Sequence, residues 1–202
     1  MTRWYREKKR EHFYKEAKRV GYRARSAFKL QQIQQRFHVI PKNAIVVDLG
    51  AAPGGWSQIA TELVGDEGCV IAADLSSIKP LENVRCVQGD VTSPETILEL
   101  KRHLEARKAD VVLSDMSPDI SGNYSVDQAR SAWLCDNALS VASQLLRPGG
   151  NFVCKIFEGE DTKGFLDKVR RSFVQVKTFS PEASRKSSSE VYIIAKTYKK
   201  TS

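Results

Sequence analysis

Short apolar runs alternate with helical segments along most of this chain, and that alternation restricts the fold more than any other feature. Ala44–Leu49 (AIVVDL) reads as a buried strand, followed by the turn Gly50–Gly55 (GAAPGG) and a helix over Trp56–Leu63. Cys69–Leu75 and Val84–Gln88 read as the second and third strands. Pro94–Leu104 reads as a helix with Ile97, Leu98 and Leu104 as its apolar positions. Asp110–Ser114 predicts a fourth strand, and Val126–Leu146 a longer helix stopped by the breaker RPGG at Arg147–Gly150. Asn151–Phe157 predicts a fifth strand and Lys163–Phe173 a helix, with two final strands near Val174–Phe179 and Glu190–Lys196. An earlier helix is expected around Tyr22–Phe37, where Ala27, Leu30, Ile33 and Phe37 recur at helical spacing before Pro41–Asn43 interrupt it. Strands alternating with helices imply an α/β fold with a parallel sheet covered on both faces. Two strands in succession at the end imply a closing hairpin with one antiparallel strand.

The 202 residues suit one domain, taken as 1–202, with enough apolar residues to bury a core. No apolar run approaches the roughly 20 residues that span a bilayer, and the charged start does not resemble a secretory signal. Glu7, Glu11 and Glu16 argue against an organelle transit peptide. Cys69, Cys86, Cys135 and Cys154 form no C-x-x-C pair, and with only three histidines they suggest no metal site. They read as buried, reduced thiols, which fits a cytoplasmic protein.

Charge is distributed unevenly. Residues 1–29 hold 11 Lys or Arg against three Glu, which accounts for the whole net charge of +8; the remainder holds 21 of each sign. Trp4, Tyr5, Phe13, Tyr14, Tyr22 and Phe28 lie in the same segment. Basic residues attract phosphates and aromatic faces stack on unpaired bases, so this segment is expected to contact RNA. A solvated basic helix with its aromatics on the core is the competing reading.

In such a sheet, ligands bind where the carboxyl ends of the strands meet their loops. The first loop, within VDLGAAPGGW (Val47–Trp56), lets the backbone approach a ligand, but lacks the G-x-G-x-x-G spacing of a pyrophosphate cradle. A nucleoside without phosphates fits it better. Asp74 ends the second strand and can accept hydrogen bonds from two ribose hydroxyls; Asp90 follows the third and can accept from an adenine amino group. Each could instead cap a loop or helix. Trp56 either lines this pocket or packs its helix. A Gly-rich loop, Asp and Asp at three successive strand ends favour S-adenosylmethionine. The stretch Asp115–Pro118 (DMSP) offers no aromatic residue to stack a flipped base, and no Pro-Cys nucleophile suits attack on a pyrimidine ring. Lys155, inside the apolar run FVCKIF, is costly to bury unless paired. The fourth and fifth strands are expected to be neighbours, so Asp115 and Lys155 can meet, either as a structural ion pair or as part of a reactive site.

From Arg23 to Lys196 the sequence resembles the FtsJ-like (RlmE-type) ribosomal RNA ribose 2′-O-methyltransferases. The resemblance is carried by RARSAFKL (Arg23–Leu30), VDLGAAPGGWSQ (Val47–Gln58), LSDMSP from Leu113, SGNY from Ser121 with Asp127 behind, LRPGG ending at Gly150, FVCKIFEGE ending at Glu160, and SSSEVY around Glu190. It implies a class I methyltransferase (Rossmann-like) three-layer sandwich: a seven-stranded, mostly parallel sheet with the last strand antiparallel. It implies a Lys–Asp–Lys–Glu tetrad at Lys29, Asp115, Lys155 and Glu190. There Lys155 is expected as the proton acceptor, or as the group that holds the developing alkoxide. It also implies S-adenosyl-L-methionine contacts at Asp48, Gly50, Gly54, Trp56, Asp74, Asp90 and Asp115. The expected activity is 2′-O-methylation of a uridine ribose in large-subunit ribosomal RNA, free or in the ribosomal subunit, by a monomer without membrane association. The alternatives are ribose methylation of tRNA or an mRNA cap, a non-catalytic RNA-binding assembly factor, and a nucleotide-dependent dehydrogenase, which the glycine spacing disfavours.

Overall fold

The computed structural model describes residues 13–184 and 189–199. Seven strands form one sheet: β1 Ile45–Leu49, β2 Cys69–Asp74, β3 Val84–Gln88, β4 Ala109–Ser114, β5 Leu146–Phe157, β6 Phe173–Phe179 and β7 Glu190–Tyr198. Their order is β3-β2-β1-β4-β5-β7-β6. β1 to β5 pair in parallel, while β7 inserts antiparallel between β5 and β6. This is the mostly parallel, seven-stranded α/β sandwich expected, and the terminal hairpin is the β6–β7 pair.

Five helices cover the sheet: α1 Ala27–Phe37, α2 Gly55–Val64, α3 Pro94–His103, α4 Tyr124–Leu145 and α5 Thr162–Ser172. Residues 13–19 are also helical. One apolar cluster joins α1 and α2 to Val46, Val70, Val111, Leu113, Val153 and Ile194 on one face. The other joins α3, α4 and α5 to Val47, Ile71, Val112, Phe152 and Ile193 on the opposite face. The two lists alternate along each strand, as a period of two requires when both faces are covered.

Four sequence expectations are corrected. The helix expected from Tyr22 begins at Ala27, because the preceding segment is tied to Gln58 of α2 and to the loop after β2. Arg23 donates through Nη1 to Lys79 O (2.5 Å) and through Nη2 to Pro80 O (2.6 Å). RPGG does not merely stop α4. It lies inside β5 as a bulge, between the pairs Ala109↔Leu146 and Val111↔Asn151. Gly149 there takes a φ of 82°, and Arg147 Nε holds Asp110 Oδ1 at 2.5 Å. On α3, Leu100 is fully buried while Leu98 is exposed, since Leu100 and Leu104 share the inward stripe and Leu98 falls off it. Cys135 and Cys154 are buried, but Cys69 is half-buried and Cys86 exposed, because β3 is an edge strand. No described helix is long and apolar enough to cross a membrane.

Candidate active site

Strand periodicity decides which side chains meet. Val111 and Leu113 belong to the α1/α2 face, so Asp115, two residues on, projects toward the same side. Val153 places Lys155 there, Ile194 places Tyr192 and Glu190, and Val46 places Asp48 by the same rule. The antiparallel register sets Lys155 opposite Tyr192, and Phe157 opposite Glu190. α1 packs over this face and delivers Lys29 from above.

The result is a compact cluster. Lys155 Nζ donates to the Asp115 carbonyl at 2.7 Å and lies 3.1 Å from Asp115 Oδ1. Lys29 Nζ lies 2.5 Å from Glu190 Oε1. Both lysines are buried, each at 6% exposure, so both depend on these partners. Burial pushes the Glu190 carboxyl up, yet the charge and hydrogen bond of Lys29, with help from Ser184 and Lys155, hold it below its usual range. The four residues expected as a tetrad are therefore brought together from α1, the end of β4, β5 and β7.

Tyr192 ties the two pairs together. Its hydroxyl donates to Asp115 Oδ1 at 2.7 Å, and Lys29 Nζ sits 5.6 Å from its ring centroid. Burial first, then the charges of Asp115 and Glu190, raise its hydroxyl well above the ordinary tyrosine value, so it stays a donor. Sequence reasoning missed this residue. The available signal was its spacing of two from Glu190, which puts both on one face of a strand. Trp56 is buried beneath the cluster, its ring 5.6 Å from that of Tyr192 and its Nε1 donating to Ser26 O at 2.9 Å.

The Gly-rich turn lies beside this cluster. Gly50 N and Ala51 N both donate to Ala73 O, and Ala52 N donates to Asp74 Oδ2 at 3.0 Å, so the end of β2 shapes the loop. Asp74 Oδ1 accepts from Ser76 N, and Asp90 Oδ1 accepts from Thr92 N and Oγ1. Those Thr92 bonds hold the Asp90 carboxyl below its usual range. Each carboxylate thus spends part of its capacity on local turns, and each retains lone pairs at a strand end.

Asp48 differs from these acids. It is fully buried, Oδ2 accepts from Ser57 Oγ at 2.7 Å, and Oδ1 has no hydrogen-bond partner among the described residues. Burial is the main cause that pushes its carboxyl up to about 7, against the Ser57 hydrogen bond and with the charges of Asp115 and Asp74 adding to it.

Gly50 has a φ of 72°, and a Cβ there would lie 2.4 Å from Met116 Cγ and 3.2 Å from Met116 Cα. Gly50→Ala is expected to cost about 1–2 kcal/mol from the left-handed backbone alone, and more from displacing Met116. A lower Tm in thermal unfolding would bear this out.

The sequence matches the FtsJ-like methyltransferase family over residues 22–198. The chain belongs to the FtsJ-like methyltransferase family. Within it, the chain is 49% identical over 187 residues to ribosomal RNA large subunit methyltransferase E of Methanothrix thermoacetophila, covering 93% of this chain and 72% of that protein. The protein of the same name from Methanocaldococcus jannaschii is 46% identical over 200 residues, covering 97% and 82%. A crystal structure from Plasmodium falciparum, described as a ribosomal RNA methyltransferase, superposes with a TM-score of 0.81 at 28% identity, covering 88% of this chain and 98% of that one. The matched region of this FtsJ-like chain contains the whole of the cluster built above.

Proposed function

We propose that this FtsJ-like chain transfers a methyl group from S-adenosyl-L-methionine to a ribose 2′-hydroxyl, most specifically of a uridine in large-subunit ribosomal RNA, acting as a cytoplasmic monomer. The observation that carries the reading is the buried Lys155–Asp115 pair standing beside Lys29–Glu190 next to a glycine-rich turn. Relatives named ribosomal RNA large subunit methyltransferase E supply the substrate class.

The residues present fit the cofactor. Asp48 offers a buried, unpartnered carboxylate oxygen that suits an ammonium donor, as the amino-acid end of S-adenosylmethionine requires. Gly50 and Gly54 keep side chains out of the turn, Asp74 suits the ribose hydroxyls, and Asp90 suits the adenine amino group. Trp56 supports this pocket from below. When bound, the cofactor supplies a methyl group on a positively charged sulfur, already activated for displacement.

The protein's task is to align a weak nucleophile and take its proton. Lys155 takes the proton of the 2′-hydroxyl when its amine is neutral, or as the ammonium holds the developing alkoxide. Asp115 holds Lys155 through both its carbonyl and its carboxylate, and its charge favours the sulfonium. Lys29 and Glu190 position the ribose and set the field around Lys155. The chain 1–202 serves as one methyltransferase domain, and its basic segment 1–29 contacts RNA through charge and aromatic faces. Trp4 and Tyr5 of that segment lie outside the described residues.

The test offers isotopically labelled S-adenosylmethionine with tRNA, free large-subunit ribosomal RNA and ribosomal subunits, then maps the product. Label on a ribose 2′-oxygen of large-subunit RNA is expected. Label on a base ring, on tRNA alone or on protein would overturn the assignment.

A further inference from the structure

The mouth of the site has two chemically different walls. On the α1/α2 side, residues 13–29 carry Lys15, Lys18, Arg19, Arg23, Arg25 and Lys29 against Glu16 alone. Arg23 anchors this wall to the loop after β2 through the carbonyls of Lys79 and Pro80. On the α4 side the exposed charges after β4 and β5 are four acids, Asp119, Glu158, Glu160 and Asp161, against Lys163 and Arg130, which donates to the Asp119 carbonyl. Large apolar groups are exposed here too, with Ile120 at 66% and Tyr124 at 63%.

The position of Tyr124 relative to the reacting centre follows from how α4 is fastened. Cys135 Sγ donates to Lys155 O at 3.0 Å, Ser131 Oγ accepts from Phe157 N at 2.9 Å, and Gln128 Nε2 donates to Glu158 O. α4 therefore climbs beside the end of β5, one turn per bond, past Lys155 and out over the carboxyl edge. Tyr124 opens the helix about three turns, roughly 16 Å, beyond Cys135 along the axis. Asp115 follows β4 at that same edge and is joined to Tyr124 by residues 116–123, so the ring stands at the rim of the carboxyl edge, on the α4 side of the site. Its N-terminal side is held firmly. Asp127 accepts from Ser121 N, Ser121 Oγ and Gly122 N, and Asn123 caps the helix by accepting from Val126 N. The ring itself makes no ring contact or side-chain hydrogen bond with other described residues. A rigidly mounted, uncovered aromatic at the rim of a site is a stacking surface looking for a partner.

We infer that Tyr124 is the platform on which an unpaired base beside the target ribose stacks, while the RNA backbone follows the basic wall opposite. The inference rests on the RNA ribose reading above and names what that site selects: a single-stranded or looped segment. The net acidic balance of this wall disfavours phosphates, so the uncharged base is the part of a nucleotide that it accepts. The basic wall takes the phosphates. Stacking is indifferent to salt, whereas phosphate contacts release counterions, so the two walls are separable by experiment.

The experiment compares wild type with Tyr124→Ala, Tyr124→Phe and Lys18→Gln, using an in vitro large-subunit ribosomal RNA transcript and labelled S-adenosylmethionine across a salt series. Tyr124→Ala is expected to raise KM for RNA by roughly tenfold or more, with kcat, S-adenosylmethionine Kd and the salt slope unchanged. Tyr124→Phe restores the wild-type KM. Lys18→Gln weakens binding and reduces the salt slope. An unchanged KM in Tyr124→Ala overturns the inference while leaving the methyltransferase reading intact. So does equal loss in the Phe variant, which would indicate a hydroxyl contact. A changed oligomeric state in Tyr124→Ala overturns it in favour of a protein partner. Wild type that labels no RNA ribose overturns the parent reading and this inference with it.

Discussion

Lys155→Ala is expected to lower kcat by roughly 10²–10⁴-fold, with S-adenosylmethionine binding largely intact. The separation follows from where Lys155 sits. Its amine is committed to Asp115, through a carbonyl contact of 2.7 Å and a carboxylate contact of 3.1 Å, while the glycine-rich turn is held independently by Ala73 and Asp74. Removing the amine leaves Asp115 with the Tyr192 hydroxyl as partner, so the fold survives at reduced stability. Breaking a buried pair costs about 3–5 kcal/mol when the remaining charge is fully buried, and Asp115, partly exposed, loses less. Lys155→Arg separates two roles. Arginine keeps the positive charge but cannot accept a proton at neutral pH, so it should be nearly as inactive as alanine. Single-turnover rates with labelled cofactor provide the measurement. Substantial activity in the arginine variant would make Lys155 an electrostatic support, and full activity in the alanine variant would remove it from the mechanism.

The parts of this site differ in how far the sequence reveals them. Lys155 announces itself because a cation within FVCKIF breaks the apolar pattern of a central strand. Its meeting with Asp115 follows once β4 and β5 are neighbours, and the parallel register delivers it. Lys29 and Glu190 carry no comparable local signal. They lie at opposite ends of the chain, and only the family resemblance names them as partners before α1 is seen to pack over β7. Tyr192 is hidden for a different reason. A tyrosine in an apolar strand looks like ordinary core, and its role depends on the hydroxyl reaching Asp115 across β5. Asp48 lies inside the predicted strand Ala44–Leu49 and is named only by the family resemblance, and its missing partner is a fact of packing. The same limit applies to the fold. Alternation gives the layers and the order of elements, but edge position decides that Cys86 is exposed, and the Arg147–Asp110 contact decides that RPGG becomes a bulge inside a strand.

Asp48→Asn should make the cofactor-free protein more stable above neutral pH and a poorer binder of S-adenosylmethionine. In the unfolded chain this carboxyl titrates near pH 4, whereas burial in the fold pushes it up to about 7. The folded state therefore holds the proton more tightly. As pH rises through the window between those values, the unfolded state loses its proton first, and stability falls. Above about pH 7 the full penalty applies, on the order of 4 kcal/mol. Asparagine cannot ionise and still accepts from Ser57, but its amide group meets the unpartnered position of Oδ1 and costs about 1–3 kcal/mol. The net gain at pH 8 is thus smaller than the penalty removed, and it should reverse near pH 4, where wild-type Asp48 is already neutral. Denaturant melts at pH 5 and pH 8 read the difference directly, and equal pH slopes in the two proteins would refute it. The cost falls on binding. Losing a charged acceptor for an ammonium group weakens S-adenosylmethionine by roughly 10- to 100-fold, the equivalent of one charge-assisted hydrogen bond. Bound cofactor should in turn keep Asp48 ionised below pH 7, so calorimetry in buffers of different ionisation enthalpy should detect proton release on binding to wild type and none with the variant. An acid held at a loss by the folded protein is explained if the group it awaits brings the missing charge.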